Sequence, residues 1–230
     1  MDWVEQVEMD LVDFKRLVAT GTVGVKYPWK KSEELGRGSF GTVYAAVDSN
    51  RMCFAVKEIR VDKGDQRVRQ CIVQLKKEVE MLRKLKHENI VQYLGADTEP
   101  FNKLWNLYSL APGELYIFEE LVRPGSLATI CRSSGFTDSQ ISAYTKEILK
   151  GLKYLHDRSI VHRDIKCADI LVDTDEICKL ADFGVAKQLN CLDQRKSCKG
   201  SAHWMAPEVI DPKNISGLPA DIWSLGCTIL

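Results

Sequence analysis

The chain has 230 residues, 45% of them hydrophobic and 28% charged, and its 32 basic side chains are matched by 32 acidic ones. That is ordinary globular composition, with room for one large domain or two small lobes, and it lacks the basic excess expected of a partner for nucleic acid or a membrane surface. No apolar run approaches the roughly 20 residues that span a bilayer.

The start, Met1-Asp2-Trp3-Val4-Glu5, is acidic and unlike a signal peptide. The eight cysteines include no C-x-x-C pair, which argues against a zinc site and a secreted disulfide framework. Reduced thiols, in cytoplasm or nucleus, are the expectation.

Along the chain, Trp3, Val7, Leu11, Phe14 and Val18 recur at helical spacing. Residues 1–28 therefore read as a helical extension, ended by Gly21 and Gly24, that packs on the first lobe, with a docking segment for a partner as the lesser alternative. From Trp29 the pattern changes to short strands. Thr42 to Val47 and Cys53 to Ile59 are two, joined by a turn at Asp48-Ser49-Asn50. A helix comes next with Ile72, Leu75, Val79, Leu82 and Leu85 on one stripe. Strands are expected again at Ile90–Leu94 and Leu115–Phe118. Between them, 99–114 is a long segment with apolar residues and no turn logic, read as an unusual insertion. After Gly125 the chain turns mainly helical, with helices at Ser139–His156 and from Ile222. Strands first and helices later predict an α+β fold in two lobes, β-rich over 29–122 and helical over 123–230.

Gly36-Arg37-Gly38-Ser39-Phe40-Gly41-Thr42-Val43 fits G-x-G-x-x-G-x-V. The triple glycine alone is a weak signal. A dinucleotide-binding turn has the same spacing but needs a helix directly after it, and here a β-rich run takes that place. A loop capping a hairpin brings the N–H groups of Ser39, Phe40 and Gly41 toward phosphate oxygens, although a purely structural glycine turn stays open. Lys57 lies inside the next strand among apolar residues, where an unpaired ammonium is costly. It needs an anion. Glu78 is the first candidate, beside Met81 and Leu82 on the core side of the helix, with Glu80 as runner-up on the opposite face.

Three further motifs come in order: His162-Arg163-Asp164-Ile165-Lys166-Cys167-Ala168-Asp169, then Asp182-Phe183-Gly184, then Ala206-Pro207-Glu208. With the glycine loop and Lys57 they resemble the protein kinase family, over residues 29–230. The resemblance implies ATP and Mg²⁺ as cofactors; Mn²⁺ is expected only to recover part of the turnover that Asp169 lowers. It implies Asp164 as catalytic base, Lys166 as the lysine that neutralises the transferring group in Ser/Thr kinases, and Lys57 paired with Glu78. ATP would be bound by Leu35, Gly36, Gly38, Ser39, Phe40, Gly41, Val43, Ala55, Lys57, Glu120, Val122 and Leu171, and metal by Asp169 and Asp182. Ser197 and Ser201 lie in the activation segment as phosphosite candidates that would pair with Arg163, Ser197 being preferred. Ser201 would also touch Asp164 and Lys166. Asp221 matches the aspartate that anchors the catalytic loop.

Segments such as Gly151-Leu152-Lys153-Tyr154-Leu155-His156 and Lys199-Gly200-Ser201-Ala202-His203-Trp204-Met205 look like mitogen-activated protein kinase kinase kinases of the plant type. That resemblance implies a protein substrate, a downstream kinase kinase, with neither nucleic acid nor a membrane span involved.

The pattern breaks in three places. Asp169 stands where the family carries Asn, which removes an amide donor and puts a third carboxylate near Asp164 and Asp182. That raises a pKa or demands more cation. Glu119 stands at an apolar position just before Glu120, where its carboxylate would compete with Glu78 for Lys57. The chain also ends at Leu230, so the helical lobe is expected to be incomplete and its apolar floor exposed. The alternative to an enzyme is a non-catalytic kinase-like interaction protein or an inactive fragment.

Overall fold

Antiparallel pairing dominates the computed structural model, which describes residues 9, 10, 12–14, 16, 17, 25, 28–38, 41–61, 68–99, 113–189, 200–211 and 217–230. The chain forms two compact units, residues 1–85 with 92–121, and residues 86–91 with 122–230.

In the first unit β1 (Lys30–Gly38), β2 (Gly41–Val47), β3 (Cys53–Val61), β4 (Tyr93–Glu99) and β5 (Gly113–Glu120) make one sheet in the order β1-β2-β3-β5-β4. Strand side chains alternate between faces, and the sequence uses both faces. Phe54 and Val56 of β3 join Tyr116 and Phe118 of β5 on one side, where Trp29 meets Phe54, Tyr116 and Phe118 edge-on at 5.2–6.0 Å. Ile59, Leu115 and Ile117 take the other side and pack on Ile72, Leu75 and Val79 of α1 (Val68–Leu82). Phe14 of the N-terminal helical residues is fully buried in this second cluster, and Asp10 and Asp13 pair with Arg69 and Lys76 of α1. Trp3, Val7, Leu11, Val18, Gly21 and Gly24 lie outside the described residues.

The turn after β2 is fixed by Asp48, whose Oδ1 accepts the N–H groups of Asn50 and Met52 at 2.8 and 2.9 Å. Two boundaries differ from the sequence expectation. Leu85 lies past the end of α1, yet is buried. The strand expected at Ile90–Leu94 begins only at Tyr93 and runs to Glu99. Val91 instead donates its N–H to the Leu180 carbonyl, and Leu180 donates to the Asn89 carbonyl, which ties 86–91 to the second unit. Short apolar runs do not specify their pairing partner. Pairing of Glu99 with Glu114 carries the ladder into both ends of the expected insertion, leaving 100–112 outside the described residues.

The second unit contains α2 (Leu127–Ser134), α3 (Asp138–His156), α4 (Pro207–Ile210) and α5 (Pro219–Ile229). It also has two small sheets. One joins β6 (Gly125–Ser126), β8 (Ile170–Val172) and β9 (Cys178–Leu180); the other joins β7 (Ile160–Val161) to β10 (Lys187–Gln188). A capping box opens α3, in which Thr137 accepts the Gln140 N–H and the Gln140 side chain accepts the Thr137 N–H. Its buried face carries Tyr144, Ile148, Leu152 and Leu155. Gly151 sits on that face because a Cβ there would stand 2.9 Å from the Asn89 carbonyl oxygen. On α5, Ile222 and Trp223 are half exposed and line an open groove of about 590 Å³ with His156, Glu208, Leu218 and Pro219. No helix among the described residues is long and apolar enough to cross a membrane.

Candidate active site

The first unit supplies the glycine turn and a buried ion pair. Lys57 shares the face of β3 that Ile59 turns toward α1, and its Nζ donates to Glu78 Oε1 at 2.8 Å. Both side chains are buried, at 8% and 2% exposure. Glu80 is half-buried on α1 and is not the carboxylate that this bond uses. The glycine turn closes β1 onto β2 with Gly38 opposite Gly41. Gly41 is required by contact, because a Cβ there would lie 2.1 Å from the Glu58 carbonyl oxygen. Gly36 faces open space, Leu35 is exposed, Val43 is half-buried, and Ala55 is buried. Ser39 and Phe40 lie outside the described residues.

At the end of β5, Glu120 exchanges hydrogen bonds with Gln92. Its N–H donates to the Gln92 carbonyl at 2.9 Å and its Oε1 accepts the Gln92 N–H at 2.8 Å. Glu119 is half-buried in register with Ala55 and Tyr93. Burial pushes the Tyr93 phenol up to about 12, with Arg83 opposing and the Glu119 charge adding to the rise.

The second unit gathers the remaining candidates. Asp221, fully buried near the start of α5, accepts the N–H groups of His162 and Arg163 at 2.9 and 2.8 Å and meets His156 Nε2 at 2.9 Å. These bonds hold Arg163 in a left-handed backbone conformation, φ 71°. The Arg163 Nε donates to the Val185 carbonyl, and burial lowers its pKa. His162 donates from Nε2 to the Ala181 carbonyl at 3.0 Å, packs edge-on against Phe183, and is kept neutral by burial.

Asp164 is held at both oxygens. Oδ1 accepts the Ser201 N–H at 2.7 Å and Oδ2 accepts Lys166 Nζ at 2.5 Å. Burial pushes the carboxyl up, but these hydrogen bonds outweigh it and hold the pKa below the usual range. Lys166 also donates to Ser201 Oγ at 2.9 Å. Ser201 can approach because Gly200 has φ +123° and no Cβ, which would otherwise lie 2.3 Å from the Arg163 carbonyl oxygen.

Asp169 lies on a short 3₁₀ turn, Cys167–Asp169, and its carbonyl accepts the Ala181 N–H at 2.9 Å. That bond places Asp182, the next residue, beside it. Burial first and the Asp182 charge second raise the Asp169 carboxyl from its ordinary 3.8 to about 7, against the pull of Lys166. Asp182 has φ 58°, and its Oδ1 accepts the Gly184 N–H at 3.3 Å. Leu171 lies on β8, half-buried, and Val122 is buried at the start of the second unit. Ser197 lies outside the described residues.

Several supporting residues carried no sequence signal that singled them out. His156 and Gly200 stand inside segments that carry the family resemblance, but with no role of their own there. Ser224 donates to the Trp204 carbonyl at 2.7 Å, and Thr228 to the Ile165 carbonyl at 3.3 Å, so α5 braces both the Asp164 loop and the segment before Ala206.

A sheet unit bearing a lysine–glutamate pair, joined in one chain to a helical unit whose aspartate loop is anchored on a helix, is the architecture of a phosphotransferase of the protein kinase type. The protein kinase domain family matches residues 29–230, and the chain belongs to that family. Among curated proteins it is 50% identical over 213 residues, 91% of its length, to mitogen-activated protein kinase kinase kinase 1b of Physcomitrium patens. It is 49% identical over 205 residues, 88% of its length, to mitogen-activated protein kinase kinase kinase 1 of Arabidopsis thaliana. The mitogen-activated protein kinase kinase kinase YODA of Arabidopsis thaliana is 44% identical over 215 residues, 92% of this chain. The matches span 26%, 31% and 23% of those proteins, so the chain corresponds to about a quarter to a third of their length.

The family implies ATP and a divalent cation, and the residues present fit a cation. Asp169 Oδ2 is out of solvent with a share of the Lys166 ammonium at 3.0 Å, and the charge of a second carboxylate, Asp182, acts on it. Among the described residues no three His, Cys, Asp or Glu side chains converge into a full cage. Two carboxylates suit a hard cation that takes its other ligands from water and phosphate.

Proposed function

We propose that this chain is the catalytic part of an ATP-dependent Ser/Thr protein kinase of the mitogen-activated protein kinase kinase kinase type, which phosphorylates a downstream kinase kinase. The observation that carries this reading is Asp164, a carboxylate held ionised and oriented by Lys166 and Ser201. Asp164 orients the substrate hydroxyl and takes its proton as the phosphoryl group transfers, and Lys166 neutralises charge on that group.

Lys57, aimed by Glu78, binds the α- and β-phosphates. The other nucleotide contacts implied by the family resemblance are Leu35, Gly36, Gly38, Ser39, Phe40, Gly41, Val43, Ala55 and Glu120 in the first unit, and Val122 and Leu171 in the second. Asp169 and Asp182 would hold a divalent cation, Mg²⁺ with Mn²⁺ as substitute, which would supply positive charge against the phosphates. A phosphate on Ser197 pairs with Arg163. The protein works in the cytoplasm or nucleus.

The test is transfer from γ-labelled ATP to a kinase kinase whose own catalytic lysine has been replaced, with phosphoamino-acid analysis of the product. Label on serine or threonine is expected, and Asp164→Asn should lower kcat by about 10²–10⁴-fold. A chain that melts cooperatively, shifts upward with ATP and still transfers nothing would overturn the reading.

A further inference from the structure

Lys166 sits in a cluster with more negative than positive charge. Its Nζ is 2.5 Å from Asp164 Oδ2, 2.9 Å from Ser201 Oγ and 3.0 Å from Asp169 Oδ2. The first two are directed hydrogen bonds. The third is an ion contact at hydrogen-bonding distance, to a carboxylate oxygen that is out of solvent. An ammonium has three N–H groups, so these three acceptors occupy the lysine fully. Burial would lower its pKa, but Asp164 and Asp169 outweigh burial and raise it. The charge of Asp182 meanwhile acts on Asp169. The ammonium that answers Asp169 thus answers Asp164 at the same time.

We propose that Asp169 is a positioning residue that acts through Lys166, holding part of its ammonium until Asp169 and Asp182 together take a divalent cation. Lys166 is then released for the phosphoryl group. The inference rests on the kinase reading of this site and adds an interlock to it, because availability of the lysine depends on cation occupancy. A neutral amide at position 169 has no charge with which to hold an ammonium, so Asp169→Asn removes the interlock while keeping the shape.

The experiment tracks modification of Lys166 by acetic anhydride, read by peptide mass spectrometry. It uses the full chain without nucleotide at alkaline pH, where Asp169 is ionised, with Lys77, exposed on α1, as internal reference. In the natural chain, saturating MnCl₂ or MgCl₂ should raise the relative rate about two- to five-fold, the range for losing one partly exposed ion contact. Asp169→Asn should show the faster rate without cation and no response to it. Asp182→Asn should keep the slow rate and lose the response, which leaves the proposal testable if the first variant does not fold. A natural chain whose Lys166 rate ignores the cation, or an Asp169→Asn chain as slow and as responsive as the natural one, overturns it. Labelling needs no ATP and no transfer. A flat cation response in a chain that transfers phosphate sinks the interlock alone, and cation-gated labelling without transfer sinks the kinase reading alone.

Discussion

The two units each place a lysine against carboxylates, and they do so in opposite ways. Lys57 meets Glu78 at 2.8 Å with both side chains almost out of solvent. Lys166, about a fifth exposed, is divided between Asp164 and Asp169. The first pair is closed, so removing one member leaves a buried charge. The second is open and overcommitted, so changing one member redistributes what remains. Burial makes a pair a structural fixture, and sharing makes it adjustable.

The largest stability effect should come from the closed pair. Lys57→Met leaves Glu78 uncompensated and should cost about 3–5 kcal/mol in urea unfolding, and Lys57→Met with Glu78→Gln together should recover much of it. If the single and double variants unfold alike, the two pairs do not differ as described.

Next is Asp169, and its sign is reversed. Its folded pKa of about 7 exceeds the unfolded 3.8, so the folded state holds a proton that the unfolded state releases between those values. The cost is absent below pH 3.8, grows from there, and is complete above pH 7, at up to about 4 kcal/mol. In chelator, Asp169→Asn should therefore be more stable than the natural chain above pH 7 and equal to it below pH 3.8. His162 slopes the other way. Burial holds its pKa below 6.5, so its contribution is complete above 6.5 and is lost as pH falls. The variant should retain that acid loss, together with the loss that Asp164, held below its usual range, adds as pH falls.

Smaller again is Gly200→Ala, which meets the Arg163 carbonyl and should cost about 1–3 kcal/mol. It also draws the Ser201 N–H away from Asp164, so kcat should fall with it. The smallest effect is Thr137→Ala at the start of α3. Loss of the capping box should cost about 1 kcal/mol and leave kcat unchanged, which a thermal melt and a transfer assay together would check.

Much of this architecture is legible in the sequence because it depends on local pattern. Alternation in β3 puts Lys57 on the same face as Ile59, and the stripe of α1 brings Glu78 to it. The aspartate turn at Asp48 is equally local. The motif resemblance named the candidates around Asp164 and marked Asp169 as a departure. Where the sequence misleads, the missing information is long-range. Ile90 and Val91 read as strand, yet the Ile90 N–H donates to the His87 carbonyl and the Val91 N–H to the Leu180 carbonyl.

The sequence by itself determined the family, the order of the elements and which carboxylates and lysines are candidates, since these depend on spacing and residue type. Only the tertiary structure decided how charge is shared among them. Burial of Glu78 and anchoring of His162 and Arg163 on Asp221 depend on residues 21, 59 and 58 positions apart. So does the division of Lys166 between two aspartates, since Ser201, 35 positions away, completes it. Desolvation and charge coupling belong to the packed environment, and no window of sequence contains them.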